Sequence, residues 1–288
     1  MRLEEAVWHR RRAAHEARVD GLVGDHLRRR RRGRAHPVED FLFTYYSQRP
    51  AALRRWHPGF GVTLAGGASY VGLKGYAEVP GGVAVSRDHV VSRRRLLTSV
   101  HTLLTATAGR RPQLGCFGMH EWAMVYRLPQ DDVRHSAWPL RLGADGTDEV
   151  VEGHRIACSH FDAFRFFTDD ARPLNTLSPG RDDRAAFEQP GCLHAGMDLY
   201  KHAFRLTPMV RSELVADCFE LARDIRVLDM RASPYDLSDL GYAPVRVETA
   251  EGKQEYAAAQ AAFAERGAPL RAALVEETER LLAVVGQG

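Results

Sequence analysis

Apolar residues recur at the spacing of an amphipathic helix in several stretches of the chain, with polar residues between them. Such stretches predict helices, and Gly or Pro residues mark where each one ends. The pattern is clearest in the carboxy-terminal third. The stretches that we predict as helices are residues 1–30, 88–109, 192–205, 212–228, 252–266 and 269–285.

Other stretches favour strands and loops. Glycines are dense between Gly59 and Gly82, where short alternating stretches predict a small β element. Residues 138–167 alternate enough to predict two strands that lead into a turn. We therefore predict an α+β fold, in which a predominantly helical single domain at residues 36–288 contains the small β element. Residues 1–35 are predicted to form a basic, amino-terminal helical arm.

Composition sets limits on the class of protein. A chain of 288 residues, of which 44% are hydrophobic, can bury a full core. No run of about eighteen apolar residues is present and the amino terminus is charged, so we expect no membrane partner and a cytoplasmic location. Four cysteines without a secretory signal favour reduced thiols. The sequence leaves the oligomeric state open.

Positive charge is concentrated near the amino terminus. Residues 1–60 contain fourteen Arg and seven acidic residues, a net charge of +7, whereas the remainder has 26 basic and 30 acidic residues, a net charge of −4. Guanidinium groups bind phosphates, so this stretch predicts contacts with DNA or a nucleotide-like ligand. The alternative is a solvated helix face. The residues predicted to bind nucleic acid are Arg28, Arg29, Arg30, Arg31, Arg32, Arg34, Arg54 and Arg55.

Three cysteines are each followed by a histidine within four residues. Each pair lies in an aromatic or Gly-containing stretch with an acidic residue close by. We interpret the pairs as segments that converge on one site, and random placement is the alternative. The pairs are Cys116/His120, Cys158/His160 and Cys192/His194.

The stretch HAGMDLYKH contains the strongest candidate metal ligands. Steps of four residues keep His194, Asp198 and His202 on one helical face, with a drift of about 40° per step. Two imidazoles and a carboxylate suit non-haem iron, whereas the nearby thiol of Cys192 favours zinc. The alternative is that Asp198 pairs with Lys201 or His202. With histidines from the other pairs, the predicted metal ligands are His120, His160, His194 and Asp198.

Two acidic residues are candidate general acids or bases. Glu121 lies in the apolar stretch GMHEWAMVYR, where burial would raise the pKa of its carboxyl; the alternative is that it bonds an Arg such as Arg127. Asp162 lies in CSHFDAFRFF, whose rings could stack an extruded base, with core packing as the alternative. The aromatic residues predicted to bind a base are Trp122, Tyr126, Phe161, Phe164 and Phe166.

Five stretches, spread over nearly the whole chain, resemble one group of proteins. The stretches are HPVEDFLFTYYSQRPAALRRWHPG, GCFGMHEWAMVYR, CSHFDAFRFFT, EQPGCLHAGMDLYKHAFRLTP and ELVADCFELARDIRVLDMRASPYDL. They are similar to actinobacterial proteins labelled 3-methyladenine DNA glycosylase, and this resemblance implies release of a modified or alkylated base from DNA. The chain has no Gly-rich hairpin followed by a catalytic Asp, so we carry over no catalytic residue.

Three hypotheses about function follow. The first, which the resemblance and the basic stretch favour, is a nucleobase-processing hydrolase that needs no cofactor and uses Glu121 or Asp162 to activate water. The second is a metal-dependent enzyme that holds iron or zinc in a cluster of His and carboxylate ligands and acts on a small molecule. The third is a non-catalytic nucleic-acid-binding protein. The chain has no GxxxxGK[ST] or strand-associated GxGxxG motif, which disfavours ATP-dependent and nicotinamide-dependent enzymes.

Overall fold

The computed structural model describes residues 1–286, which form twelve α-helices and four short β-strands. The helices are α1 (Glu5–Arg31), α2 (Phe41–Thr44), α3 (Pro50–Arg54), α4 (Arg87–Ser92), α5 (Arg94–Ala108), α6 (Met119–Ala123), α7 (Gly143–Glu152), α8 (Phe161–Phe164), α9 (Arg184–Phe187), α10 (Leu193–Arg205), α11 (Ser212–Arg231) and α12 (Ala250–Gly286). The strands are β1 (Arg2–Leu3), β2 (Thr63–Leu64), β3 (Tyr76–Val79) and β4 (Gly82–Val85). The predicted α+β class, predominantly helical with a small β element, is confirmed.

Most helices form where the apolar spacing predicts them. α1, α10 and α11 match their predicted stretches to within a few residues, whereas the stretch 88–109 is divided at Arg93 into α4 and α5. α12 replaces two predicted helices, because the chain continues in one helix through Pro269. Tyr256 and Leu274, on either side of this proline, are both buried. Burial along the helix outweighs the one hydrogen bond that a proline removes. Within residues 1–286, no helix combines the length and apolar character needed to span a bilayer.

The two strands predicted between residues 138 and 167 are wrong, because α7 occupies much of this segment. Its buried residues are Thr147, Val150 and Val151. They follow each other at steps of three and one, which is the spacing of one helical face and not the alternation of a strand.

The four strands form one sheet in the order β1-β2-β4-β3. β1 is parallel to β2, while β2 and β3 are both antiparallel to β4. At Gly82, where β4 begins with a φ of 150°, an added Cβ would lie 1.9 Å from the carbonyl oxygen of Leu64, so glycine is required. A buried hydrophobic cluster beside the sheet consists of Trp8, Trp56, Leu64, Tyr70 and Val83.

The chain forms two compact units. The first unit comprises Met1–Thr105, Asp198–Ala222 and the described residues from Pro269 onwards. The second unit comprises Ala106–Met197 and Arg223–Ala268. The predicted division of the chain after residue 35 does not coincide with the boundaries of these units.

Residues 1–35, predicted as a helical arm, belong to the first unit. The indole N–H of Trp8 donates to the carbonyl oxygen of Ala65 at 3.0 Å, and Trp8 is 2% exposed. Arg18 donates to the carboxylates of Asp217 and Glu220 at 2.7 and 2.6 Å. α1 is therefore anchored within the first unit by one apolar and one charged face.

Glu213 links several parts of the first unit through its carboxylate. Trp56 donates to its Oε1 at 3.0 Å, and Arg11 donates to the same atom at 2.8 Å. Burial alone would raise the pKa of Glu213, but the hydrogen bonds from Trp56, from its own main-chain N–H and from Arg11, with the positive charge of Arg11, outweigh burial and hold the pKa below its ordinary value of 4.5.

We expect this carboxylate to stabilise the fold at neutral pH and to lose that effect in acid. A group whose pKa is lowered by folding contributes stability above its unfolded pKa and loses it as pH falls through the folded pKa. Glu213→Gln should therefore lower the free energy of unfolding at pH 7 by about 1 kcal/mol, a small value because the side chain is 35% exposed and water screens the ion pair. Urea unfolding of both proteins at pH 7 and pH 3 should show the difference shrinking at the lower pH. An equal difference at both values would contradict this role.

Candidate metal centre

The second unit contains a cavity of about 680 Å³. A volume of this size accommodates a small organic molecule. Five separate stretches of the chain form its wall, so the fold brings together residues that are distant in sequence. The stretches lie within residues 110–120, 153–159, 176–177, 187–194 and 253–256.

The structure brings the three Cys/His pairs to this cavity. Cys116, Cys158 and Cys192 all contribute to its wall. His120 and His194 line it as well, and their ring centroids are 4.4 Å apart. The ring of His160 is fully buried and lies 5.3 Å from the ring of His194, measured between centroids. The predicted convergence of three segments is therefore seen in the second unit.

One carboxylate completes a candidate metal-binding cluster with two of these histidines. His120 comes from α6, His194 from the first turn of α10 and Asp229 from the last turns of α11. One ligand atom from each of the three side chains lies within 4.8 Å of the other two. The residues are 6%, 5% and 0% exposed, respectively, so water competes little for their ligand atoms.

The contact between His120 and Asp229 is as short as a hydrogen bond, and also as short as the separation between two ligands of one ion. Nε2 of His120 lies 2.9 Å from Oδ1 of Asp229, and hydrogen bonding between the two side chains contributes to the pKa shifts of both, although the two atoms are poorly aligned for it. Ligand atoms about 2.1 Å from an ion lie about 3.0 Å apart in octahedral coordination and about 3.4 Å apart in a tetrahedral zinc site. The observed separation is nearer to the octahedral value.

Arg226 fixes the orientation of the Asp229 carboxylate. Its Nη1 donates to Oδ2 of Asp229 at 2.5 Å and to Oε1 of Glu121 at 2.8 Å. Arg226 is 1% exposed and Glu121 is 5% exposed, so this ion pair is buried. Because Arg226 occupies Oδ2, the other carboxylate oxygen of Asp229, Oδ1, is the one that faces His120. Such outer contacts orient ligands at metal sites.

The charges in the cluster shift the pKa values of its members in opposite directions. Burial alone would raise the pKa of Asp229, but attraction by His120, a hydrogen bond with it and attraction by Arg226 outweigh burial and lower the pKa strongly. Burial alone would lower the pKa of His120, but attraction by Asp229 and the same hydrogen bond outweigh burial and raise it. Asp229 is therefore a carboxylate at neutral pH, which is the form that binds cations, whereas an ion bound here must displace the proton that Asp229 stabilises on His120.

His160 has an acidic neighbour of its own. Its Nε2 lies 3.6 Å from Oε1 of Glu188, and Arg184 donates to the same oxygen at 2.5 Å. Glu188 is 2% exposed. The ring of His160 also lies next to the ring of His194. His160 and Glu188 therefore form a second buried polar group beside the cluster, outside the cavity lining.

Asp198, the carboxylate that we predicted as a metal ligand, is not in the cluster. It belongs to the first unit, where Tyr46 donates to its Oδ1 and Lys201 donates to its Oδ2, both at 2.9 Å. The pairing with Lys201 is the alternative stated above, whereas no sequence pattern indicates Tyr46 as a partner. Asp198 is 1% exposed, so this pair is buried and not on the surface.

Sequence reasoning missed Asp229, for which the sequence does hold a signal. The stretch IRVLDM contains an Arg and an Asp, three residues apart, inside an otherwise apolar helical pattern. Charged residues on the buried face of a helix are almost always paired or bound to an ion. Arg226 and Asp229 are the pair that this pattern indicates.

The two predicted general acids or bases have Arg partners and lie outside the cavity lining. Glu121 accepts a hydrogen bond from Arg226. This agrees with the stated alternative that Glu121 bonds an Arg, although the Arg is not Arg127, the example given there. Asp162 is half-buried and its Oδ1 lies 3.3 Å from Nε of Arg165. The side chains that line the cavity include neither carboxylate.

The predicted base-binding aromatic residues also lie outside the cavity lining. Trp122 and Tyr126 are 0% and 2% exposed, and Trp122 donates to the carbonyl oxygen of Ala232 at 2.8 Å. Phe166 is 38% exposed and lies under the guanidinium of Arg165. Phe161 and Phe164 are half-buried. The aromatic rings that do line the cavity are those of Phe117, Phe187 and Tyr256.

The arginines predicted to bind nucleic acid differ in their surroundings. Arg28 and Arg29 form ion pairs with Asp25 and Glu39, and Arg54 donates to Asp20 at 2.7 Å. The remaining predicted residues are exposed, and DNA binding through them stays a prediction. They are Arg30, Arg31, Arg32, Arg34 and Arg55.

Burial holds the three cavity thiols in their protonated form. It raises the pKa of Cys158 to about 12, raises that of Cys116, and raises that of Cys192 well above its ordinary value. Gln260 donates to Sγ of Cys116 at 3.1 Å, which alone would lower the pKa of this thiol, but burial outweighs it. These surroundings disfavour a nucleophilic role for the three thiols, because the thiolate is the reactive form.

Comparisons with protein-family models, with curated proteins and with solved structures give no match to this chain.

Proposed function

We propose that this protein is a metal-dependent enzyme that acts on a small molecule bound in the cavity of the second unit. The observation that carries the proposal is the buried cluster of His120, His194 and Asp229 at the cavity wall. Two of its three side chains line the cavity, so a bound ion would border the space in which a substrate fits.

The ligand set supports iron or zinc. Two imidazoles and one carboxylate with open positions are the ligands of non-haem Fe²⁺ enzymes, and a similar set with one water holds Zn²⁺ in hydrolases. Such an ion supplies Lewis acidity and a site for water or substrate. The chain's own contribution is the orientation of Asp229 by Arg226 and the burial of the cluster.

Base release through Glu121 or Asp162 has weaker support. A general base must lie within hydrogen-bonding reach of the water that it activates, directly or through one more water. Glu121 is 5% exposed and bonded to Arg226, and Asp162 pairs with Arg165 outside the cavity lining. Base release would require Glu121 or Asp162 to leave its Arg partner and reach the cavity, whereas the metal-dependent proposal requires no rearrangement.

Elemental analysis of protein purified without chelators tests the proposal. We expect close to one equivalent of iron or zinc per chain, or uptake of one equivalent when the purified protein is titrated anaerobically with Fe²⁺ or with Zn²⁺. Less than about a tenth of an equivalent after both titrations would end the proposal.

A further inference from the structure

The cavity is lined by positive charge and by no carboxylate. Arg110, Arg111, Arg155 and Lys253 all contribute to its wall. Among the described residues of this lining there is no Asp or Glu. A concave site with charge of one sign concentrates ligands of the opposite sign.

Three of these cations keep their charge available to a ligand. Within residues 1–286, neither Arg111, Arg155 nor Lys253 forms an ion pair with a carboxylate. The two arginines are exposed and Lys253 is half-buried, so all three can be reached from solvent. Arg110 differs, because its guanidinium donates to main-chain carbonyl oxygens of Ala185 and Glu188 at 2.5 and 2.9 Å.

The rest of the wall is apolar and aromatic. Phe117 has a φ of 45° and the following Gly118 a φ of 68°, and this left-handed turn is where Phe117 joins the cavity wall. Strained residues of this kind cluster at ligand sites. Nζ of Lys253 lies over the Phe117 ring, 5.9 Å from its centre, so a cation and a ring are neighbours in the cavity wall. Leu177 and Phe187 extend the apolar wall.

We propose that the cavity binds a small organic anion, whose acidic group pairs with Arg111, Arg155 and Lys253 and whose apolar body packs against Phe117 and Phe187. As a statement about the substrate, this inference rests on the proposed function. As a statement about binding, it depends only on the cavity wall. The two can therefore fail separately.

Two fluorescent probes with the same ring system test the inference. Anilinonaphthalene sulfonate is an aromatic anion, and N-phenylnaphthylamine is its uncharged counterpart. Both are titrated into chelator-treated protein, so that a missing metal cannot affect the result. The variants are Arg155→Gln and Lys253→Gln, and Arg181→Gln is the matched control, because Arg181 is exposed in the same unit but is not part of the cavity lining.

We expect one sulfonate probe to bind per chain, with an affinity that falls about tenfold in each cavity variant and is unchanged in the control. Added salt should weaken this binding, and the neutral probe should bind with the same affinity to all four proteins. The inference is overturned if the anionic probe does not bind, binds at several sites, or binds equally to all four proteins. A parallel loss of both probes in the cavity variants would also overturn it, since that would indicate a change in shape and not in charge.

Discussion

Asp229→Asn is expected to abolish stoichiometric binding of iron or zinc. The substitution keeps the size of the side chain, but it replaces one acceptor oxygen with an NH₂ donor and removes the negative charge that faces His120 at 2.9 Å. Loss of an outer-sphere contact alone weakens metal affinity by tenfold to a hundredfold, so loss of a charged ligand should weaken it by at least about a hundredfold. Titration with Zn²⁺, followed by a competing chromogenic chelator, measures this change.

Asp198→Asn is the matched control, because Asp198 is an equally buried carboxylate on α10, the helix that also carries His194. If the cluster of His120, His194 and Asp229 is the metal site, the Asp198→Asn protein keeps all of its ligands. Its zinc affinity should therefore stay within about threefold of the wild-type value. The reverse pattern, with Asp198→Asn losing the metal and Asp229→Asn keeping it, would return the site to the ligand set that helical spacing alone predicts.

Arg226→Met is expected to destabilise the protein by about 3–5 kcal/mol, because it leaves two buried carboxylates without their shared cation. Arg226 is 1% exposed and bonds both Glu121 and Asp229. Urea unfolding in the presence of a chelator measures the free energy of unfolding without a contribution from bound metal. Adding Glu121→Gln to the Arg226→Met protein should restore part of the loss, because it removes one of the two unpaired charges.

Arg223→Met is the control for this experiment. Arg223 lies one turn earlier on α11, is half-buried, and is 3.7 Å from the carboxylate of Asp224. Partly exposed ion pairs contribute little, so this substitution should cost no more than about 1 kcal/mol. Equal losses in the Arg223 and Arg226 variants would show that the buried network has no special role in stability.

Most of the helices could be predicted from the sequence, because burial of one helical face leaves a periodic trace. α10 and α11 are the clearest cases, and α11 even carries the buried charges Arg226 and Asp229 within its apolar face. α7 was mistaken for strands, because over ten residues the two periods are difficult to distinguish. The continuation of α12 through Pro269 depends on burial along a long helix, which local sequence does not reveal.

The candidate site was predictable only in part. His120, His160 and His194 were singled out by their neighbouring thiols and aromatic residues, and they do meet around one cavity. The carboxylate of Asp229 was not singled out, because the sequence does not show which of its many acidic residues the fold brings to His120. Spacing along one helix favoured Asp198, whereas the side chain that meets the histidines comes from a different helix, α11.

The position of a bound ion is the measurement that tests the central claim most directly. Crystals of zinc-loaded protein, measured on both sides of the zinc absorption edge, locate the ion without reference to any assumed ligand. We expect one strong anomalous peak about 2.1 Å from Nε2 of His120 and from Oδ1 of Asp229, with His194 as the third protein ligand. Fully loaded protein with no peak at this cluster, or with its zinc held by other residues, would contradict the assignment of the metal centre.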